Sequence, residues 1–150
     1  MLQKGDKAPE FTLPTLNDQT VSLKDFKGKK VVLYFYPKDN TPGCTLEACD
    51  FRDNMGRLKT AGVEVLGTSR DHLKSHQKFA DKFDLSFPLL SDEQGEVCRQ
   101  YDCWKEKSMF GKKYFGIERS TFLIDEKGLI QKIWRKVKVK GHVEQVLEAL

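Results

Sequence analysis

Residues 29–53 read KKVVLYFYPKDNTPGCTLEACDFRD, and they predict the core of the fold. Its first part, residues 30–36, is a continuous run of mainly apolar, β-branched and aromatic side chains that ends at Pro37. A strand with one solvated face would alternate polar and apolar residues, so this run predicts a strand that is buried on both faces. Such a strand belongs in the middle of a sheet.

The second part of the stretch changes to a helical period. Apolar residues recur at spacings of four, three, four and three, which places them on one face of a helix. They are Cys44, Ala48, Phe51, Met55 and Leu58. Gly62 is expected to end this helix, and residues 63–69 predict the next strand. A strand, a helix and a second strand in this order form a βαβ unit with two parallel strands.

Shorter elements surround this unit. Before it, two short extended segments separated by Asn17 and Asp18 predict a small hairpin. After it, the apolar pattern predicts two helices, a hairpin and a terminal helix. These elements centre on residues 11–13, 20–22, 73–83, 93–101, 121–124, 129–134 and 143–150. Together they outline one thioredoxin-like α/β domain over residues 1–150, with a central mixed β-sheet flanked by helices and an N-terminal β-hairpin extension.

The composition limits the class of protein. The 150 residues are 39% hydrophobic and 32% charged, which suits a globular domain rather than a disordered chain. No stretch approaches the roughly 20 apolar residues of a membrane span, so we expect no membrane partner. The first residues lack the layout of a secretory signal, which favours the cytoplasm. The net charge of +4 is dispersed, and we therefore expect no nucleic-acid partner.

The densest basic run is RKVKVK, residues 135–140. Lysine and valine alternate in part of it, which favours a solvated edge strand whose charges discourage pairing with other chains. A site for an anionic ligand is the alternative interpretation of the same run.

Four cysteines indicate thiol chemistry or metal binding, because disulfide scaffolds are typical of exported proteins. They form two pairs, each five residues apart: Cys44 with Cys49, and Cys98 with Cys103. Two such pairs could bind one zinc ion, although neither has the tight loop that zinc sites use. A hydrolytic cysteine–histidine dyad would need one of three histidines, whose order and spacing do not support it. The histidines are His72, His76 and His142.

Cys44 follows the central strand in a segment that should begin the helix. Thr41 and Pro42 suit the N-cap and the first turn, because the threonine hydroxyl can accept an amide hydrogen and proline lacks the surplus donor. The helix N-terminus favours a thiolate at Cys44, and the apolar stripe should shield its sulfur from water. Cys49 lies about 140° around the helix with a Cα separation of roughly 8–9 Å. A disulfide needs less than about 7 Å, so the two cysteines cannot bond while both remain helical.

The pattern Pro37-x-x-x-Thr41-x-x-Cys44 resembles the motif of the peroxiredoxins. The following Thr45-x-x-x-Cys49 resembles the bacterioferritin comigratory protein branch, also called peroxiredoxin Q. Residues 5–11, 23–29 and 116–125 match further landmarks, so the resemblance covers nearly the whole chain.

This resemblance implies a thiol peroxidase that reduces hydrogen peroxide and organic hydroperoxides. It implies that Cys44 becomes a sulfenic acid, that Thr41 and Arg119 bind the peroxide, and that Pro37 shields the pocket. It also identifies Cys49 as the resolving cysteine, which forms an intramolecular disulfide, and thioredoxin as the reductant. No metal or organic cofactor is required, and a monomer with a role in antioxidant defence and cell redox homeostasis is expected.

Cys98 and Cys103 lie outside the motif, and a structural role is expected for both. A secondary disulfide or an intermolecular bond under oxidation stays open. Two rival functions also remain: a thioredoxin-like disulfide reductase or isomerase, and a zinc-held binding module. The reductase typically has two residues between its two cysteines, whereas four residues separate Cys44 and Cys49.

Overall fold

The computed structural model describes every residue from Met1 to Leu150 and contains nine strands, five α-helices and one 3₁₀ turn at Leu23–Phe26. The strands are β1 (Thr12–Thr15), β2 (Gln19–Ser22), β3 (Lys30–Phe35), β4 (Val63–Ser69), β5 (Leu89–Ser91), β6 (Trp104–Met109), β7 (Lys112–Ile117), β8 (Ser120–Ile124) and β9 (Ile130–Trp134). The helices are α1 (Pro42–Asp53), α2 (Met55–Thr60), α3 (Leu73–Phe83), α4 (Glu96–Gln100) and α5 (His142–Glu148). None of the helices combines the length and hydropathy needed to span a bilayer.

Strand β3 occupies the centre of a five-stranded mixed sheet, as its apolar sequence predicts. The strand order is β5-β4-β3-β8-β9, with β3 parallel to β4 and antiparallel to β8. The parallel pair and the helices between its strands form the predicted βαβ unit. The predicted thioredoxin-like α/β fold, with a mixed sheet and flanking helices, is confirmed.

The two faces of β3 belong to two separate hydrophobic clusters. Val31, Leu33 and Phe35 face one cluster, which contains residues of the N-terminal hairpin and α4. Val32 and Tyr34 face the other, which contains the apolar stripe of α1 and α2. Because side chains alternate between the faces of a strand, an unbroken apolar run is required to fill both clusters.

The long helix predicted up to Gly62 is interrupted at Asn54, which was not expected. Asn54 has φ −110° and ψ 11°, outside the helical region, and separates α1 from α2. Its side-chain amide donates a hydrogen bond to the carbonyl of Asp50 at 2.8 Å, a local bond that competes with regular helix geometry. The apolar stripe nevertheless continues across the break, because Met55 and Leu58 remain buried.

The prediction of an edge strand over residues 135–140 is wrong, because β9 ends at Trp134. Lys136 has a φ of 47°, which breaks an extended conformation. Arg135 turns inward instead, and its Nη1 donates hydrogen bonds to the carbonyls of Tyr101 and Asp102 at 3.0 and 3.1 Å. These hydrogen bonds of Arg135 therefore outweigh the strand preference of the alternating sequence. Strand β5 and the β6–β7 hairpin were not predicted.

Candidate active site

The loop after β3 leads directly into α1, at the position that the sequence predicts. Thr41 is the N-cap residue, with φ −92° and ψ 157°, and Pro42 begins the helix. The predicted side-chain cap is wrong, because the Thr41 hydroxyl donates a hydrogen bond to the carbonyl of Lys38 at 2.9 Å. The hydroxyl therefore closes the loop onto itself rather than capping the helix.

Cys44 lies in the first turn of α1, with only 2% of its surface exposed. Its Sγ accepts a hydrogen bond from Nη2 of Arg119 at 3.3 Å. Arg119 immediately precedes β8, and β8 pairs with β3, so the sheet brings this guanidinium to the start of α1. A Cβ atom at Gly43 would lie 3.2 Å from the same Nη2, so glycine gives the arginine room to approach. The arginine therefore places a positive charge directly beside the sulfur.

A glutamate also contacts Arg119. Nη1 of Arg119 donates to Oε1 of Glu47 at 2.7 Å, and the Glu47 side chain is fully buried. Burial raises the pKa of Glu47 from 4.5 to about 7, although the charge of Arg119 opposes the change. Burial acts to lower the pKa of Arg119, but Glu47 and Cys44 outweigh it and raise the value. One guanidinium is thus shared between a carboxyl group and a sulfur.

Sequence reasoning missed two charged groups near the sulfur. Glu47 stands three residues after Cys44, a spacing that puts both on one helical face and could have indicated the contact. Lys107 on β6 lies close enough that the charges of Cys44 and Arg119 act on it. Burial and the charge of Arg119 lower the pKa of this lysine. Nothing in the sequence around Lys107 indicates its proximity to the site.

Cys49 lies on the same helix, half-buried, and both thiols are free. The helix is continuous from Pro42 to Asp53, so five helical residues separate the two cysteines and their Cα atoms are about 8–9 Å apart. That separation exceeds the reach of a disulfide, which is about 7 Å. Bond formation between Cys44 and Cys49 therefore requires part of α1 to unwind.

Pro37 is exposed at the end of the central strand and faces the β6–β7 hairpin. The two segments enclose a groove of about 340 Å³. Its walls combine aromatic and basic side chains, which include Lys38, Trp104, Lys107 and Phe115. The surface beside Pro37 is therefore an open and partly apolar groove.

Cys98 and Cys103 lie on the opposite side of the sheet from Cys44. Both are fully buried, and burial raises the pKa of Cys103 to about 12 and that of Cys98 further. Because the central sheet separates the two pairs, they cannot bind a single zinc ion. Their burial in an apolar cluster agrees with the expected structural role.

No histidine contacts Cys44, so the alternative of a cysteine–histidine dyad finds no support. His72 caps α3 by accepting a hydrogen bond from the Ser75 amide at 3.1 Å. His142 bonds Thr121 at 2.8 Å. His76 bonds Asp39 directly at 2.7 Å, and together with Asp71 they form a group of ligand-type side chains. A hydrogen bond accounts for the contact between His76 and Asp39.

Comparison with known proteins agrees with this geometry. Residues 4–133 match the model of the AhpC/TSA family. The chain is 58% identical over 149 residues to a protein of Coxiella burnetii called putative peroxiredoxin bcp, with 99% of both chains covered. It is 50% identical to peroxiredoxin Bcp of Bacillus subtilis, over 99% of this chain and 95% of the relative.

Solved structures give the same result. The bacterioferritin comigratory protein of Xanthomonas campestris, described in connection with alkyl peroxide reduction, superimposes with a TM-score of 0.93 at 42% identity. The match covers 99% of this chain and 96% of that structure. A peroxiredoxin Q of Xylella fastidiosa superimposes with a TM-score of 0.94 at 40% identity, over 99% and 94% of the two chains.

Proposed function

Because this chain belongs to the AhpC/TSA family, as a peroxiredoxin of the Bcp or peroxiredoxin Q kind, we propose that it reduces hydroperoxides through a sulfenic acid on Cys44. Peroxiredoxins are thiol peroxidases, and the substrates in this proposal are hydrogen peroxide and organic hydroperoxides. The observation that carries the proposal is the 3.3 Å contact between Nη2 of Arg119 and Sγ of Cys44 in the first turn of a helix.

In the first step the Cys44 thiolate attacks one oxygen of the peroxide. A sulfur–oxygen bond forms, the oxygen–oxygen bond breaks, and the second oxygen takes up a proton from solvent and leaves as water or an alcohol. Arg119 stabilises the negative charge that moves from sulfur to the leaving oxygen, and Thr41 helps to orient the peroxide. Pro37 shields the attacking sulfur from bulk water. The shielding favours small or narrow substrates, because only 2% of Cys44 is exposed.

In the second step Cys49 loses its proton and its sulfur attacks the sulfenic sulfur. A disulfide forms between Cys44 and Cys49, and the sulfenic oxygen leaves as water. The first turns of α1 unwind for this step, since the intact helix holds the two Cα atoms about 8–9 Å apart. Unwinding also brings the disulfide out of its buried position, where a protein reductant reaches it.

Thioredoxin then reduces the disulfide by thiol–disulfide exchange and becomes oxidised itself. The intramolecular pair allows the enzyme to act as a monomer built from one domain, residues 1–150. We place it in the cytoplasm, in antioxidant defence and redox homeostasis. The cycle uses no metal and no organic cofactor.

Two cysteine substitutions test the order of events. Cys44→Ser should abolish peroxide reduction, because the attacking sulfur is lost. Cys49→Ser should consume about one equivalent of peroxide and stop at a sulfenic acid that a dimedone probe traps by mass. Cys98→Ala is the matched control, since it removes a buried thiol outside the site and should keep full turnover with thioredoxin.

Peptide mapping after one equivalent of peroxide gives the complementary result. The expected disulfide joins Cys44 to Cys49, and peroxide turnover by Cys44→Ser in the presence of thioredoxin would overturn the assignment. The rival function of a disulfide reductase predicts rapid reduction of insulin instead. Insulin reduction without peroxide consumption would favour that rival.

A further inference from the structure

A buried polar network lies beside the loop that carries Thr41, and the proposed reaction leaves it without a role. Its centre is Asp39, which is 3% exposed, and His76 of α3, which is fully buried. The backbone amide of Asp39 also donates to Asp71 at 2.8 Å, and Ser69 of β4 donates to the same oxygen at 2.7 Å. The network thus connects the loop to three other parts of the fold.

The hydrogen bonds of His76 determine how many protons its ring carries. Nδ1 lies 2.7 Å from a carboxyl oxygen of Asp39, and Nε2 lies 2.9 Å from the carbonyl oxygen of Leu90. A carbonyl can only accept, so Nε2 must carry a hydrogen. Tyr36 and Ser75 also donate to the Asp39 carboxyl group, at 2.6 and 2.8 Å, and three donors favour its ionised form. An ionised Asp39 requires a hydrogen on Nδ1 as well, and His76 is then an imidazolium.

We propose that the imidazolium of His76 is a positioning group that holds Asp39 in place and thereby opposes unwinding of the chain beyond residue 40. This inference rests on the proposed function, because it concerns the helix opening that the disulfide requires. Asn40 stands between the fixed Asp39 and the N-cap Thr41, and its φ of 59° lies in the left-handed region. The chain therefore changes direction immediately after its last buried anchor, which makes Asn40 the hinge.

The anchor affects the two steps of the cycle differently. Attack on peroxide needs the folded helix, which is the majority form. Disulfide formation draws on the minor, unwound form. A weaker anchor raises the population of the unwound form without removing the folded majority. The disulfide should then form faster, while attack on peroxide changes little.

The charges around His76 predict the direction of a pH effect. Burial acts to lower the pKa of His76, but the hydrogen bond and charge of Asp39 outweigh it and raise the pKa above 6.5, and Asp71 adds to the effect. Burial acts to raise the pKa of Asp39, but the bond and charge of His76 outweigh it and lower the value. Tyr36 stays protonated, because burial raises its pKa.

The sign of the effect follows from these directions. A raised histidine pKa stabilises the fold fully below about 6.5, and this stabilisation is lost as the pH rises through the raised value. The neutral ring would leave one nitrogen lone pair facing an oxygen acceptor in a buried site. Mildly alkaline pH should therefore loosen the anchor and accelerate disulfide formation.

Two measurements test the proposal. In the reduced wild-type protein, ¹⁵N NMR of the histidine rings should show both nitrogens of His76 protonated at neutral pH. Rapid-quench mass spectrometry should then follow Cys44 oxidation and disulfide formation separately in His76→Gln. Loss of a hydrogen bond to a charged group corresponds to roughly a tenfold change, so the disulfide should form about tenfold faster, and its rate should rise less steeply with pH than in the wild type. Attack on peroxide should stay within about twofold of the wild-type rate.

His72→Gln is the matched control, because His72 lies at the start of the same helix but bonds only the Ser75 amide. It should leave both rates and their pH dependence unchanged. Equal disulfide rates in His76→Gln and His72→Gln, or a neutral His76 ring at neutral pH, would overturn the proposal. The NMR result needs no substitution and holds even if a variant folds poorly. Absence of a sulfenic acid on Cys44 in all three proteins would instead refute the proposed function.

Discussion

Replacement of Glu47 by glutamine removes a buried negative charge but keeps the size of the side chain and one oxygen that can accept from Arg119. Glu47 is fully buried, and its Oε1 lies 2.7 Å from Nη1 of Arg119. Its second oxygen, Oε2, has no hydrogen-bond partner in the protein. Ionised Glu47 is therefore only partly compensated, and its charge should make the fold less stable as the pH rises.

The size of this effect follows from the pKa of Glu47, which the fold raises from 4.5 to about 7. Between these values the folded protein binds more protons than the unfolded chain, so the free energy of unfolding falls as the pH rises. A shift of one pKa unit corresponds to about 1.36 kcal/mol, so the shift of the Glu47 pKa from 4.5 to about 7 lowers the free energy of unfolding by roughly 3 kcal/mol. The decrease should be complete above about pH 7 and absent below 4.5.

The assay is denaturation of the reduced protein by urea at a series of pH values from 4 to 8. Subtraction of the wild-type unfolding free energy from that of Glu47→Gln cancels the titration of the other groups. The difference should grow by roughly 3 kcal/mol in favour of the variant across this range.

Glu144→Gln is the matched control, because Arg57 donates to Glu144 at the same 2.7 Å distance in an exposed pair. Exposed ion pairs contribute little, and this control should show no trend with pH. A Glu47→Gln difference that is constant from pH 4 to 8, or that grows in the opposite direction, would contradict a raised pKa of Glu47.

Two further predictions concern buried groups. In Gly67→Ala the new Cβ would lie 2.9 Å from the Tyr34 hydroxyl, so urea denaturation should show a free energy of unfolding that is lower by about 1–3 kcal/mol. Adding Tyr34→Phe should restore part of this loss, and full independence of the two changes would contradict the predicted clash. Cys98 and Cys103 are fully buried, so iodoacetamide at pH 8 should label them only in denaturant, as followed by mass, whereas labelling of the folded protein would contradict their burial.

Much of the framework could be predicted from local patterns. The apolar run of β3 predicted its central place, because a strand buried on both faces needs no polar alternation. The stripe that starts at Cys44 predicted the burial of that thiol on α1. Thr41 and Pro42 predicted where the helix begins. Each of these signals arises within a few residues of chain, where periodicity and capping preferences act.

Other features escaped because their causes lie far away in the chain. The basic run after β9 alternates like a strand, but Arg135 turns toward the carbonyl of Tyr101, which is 34 residues earlier. The role of Asp39 depends on His76, 37 residues later on another element. Local preference yields in such cases to contacts that only the folded chain offers.

The amino-acid pattern alone predicted the central βαβ unit, the helix that bears Cys44, and the separation that keeps Cys44 and Cys49 apart while that helix is intact. The family resemblance named Arg119, but the tertiary structure decides how the groups around the sulfur are arranged. Arg119 reaches Cys44 across 75 residues and Glu47 across 72. These contacts exist because β8 pairs beside β3, and strand pairing depends on the burial of whole faces rather than on any short stretch of residues.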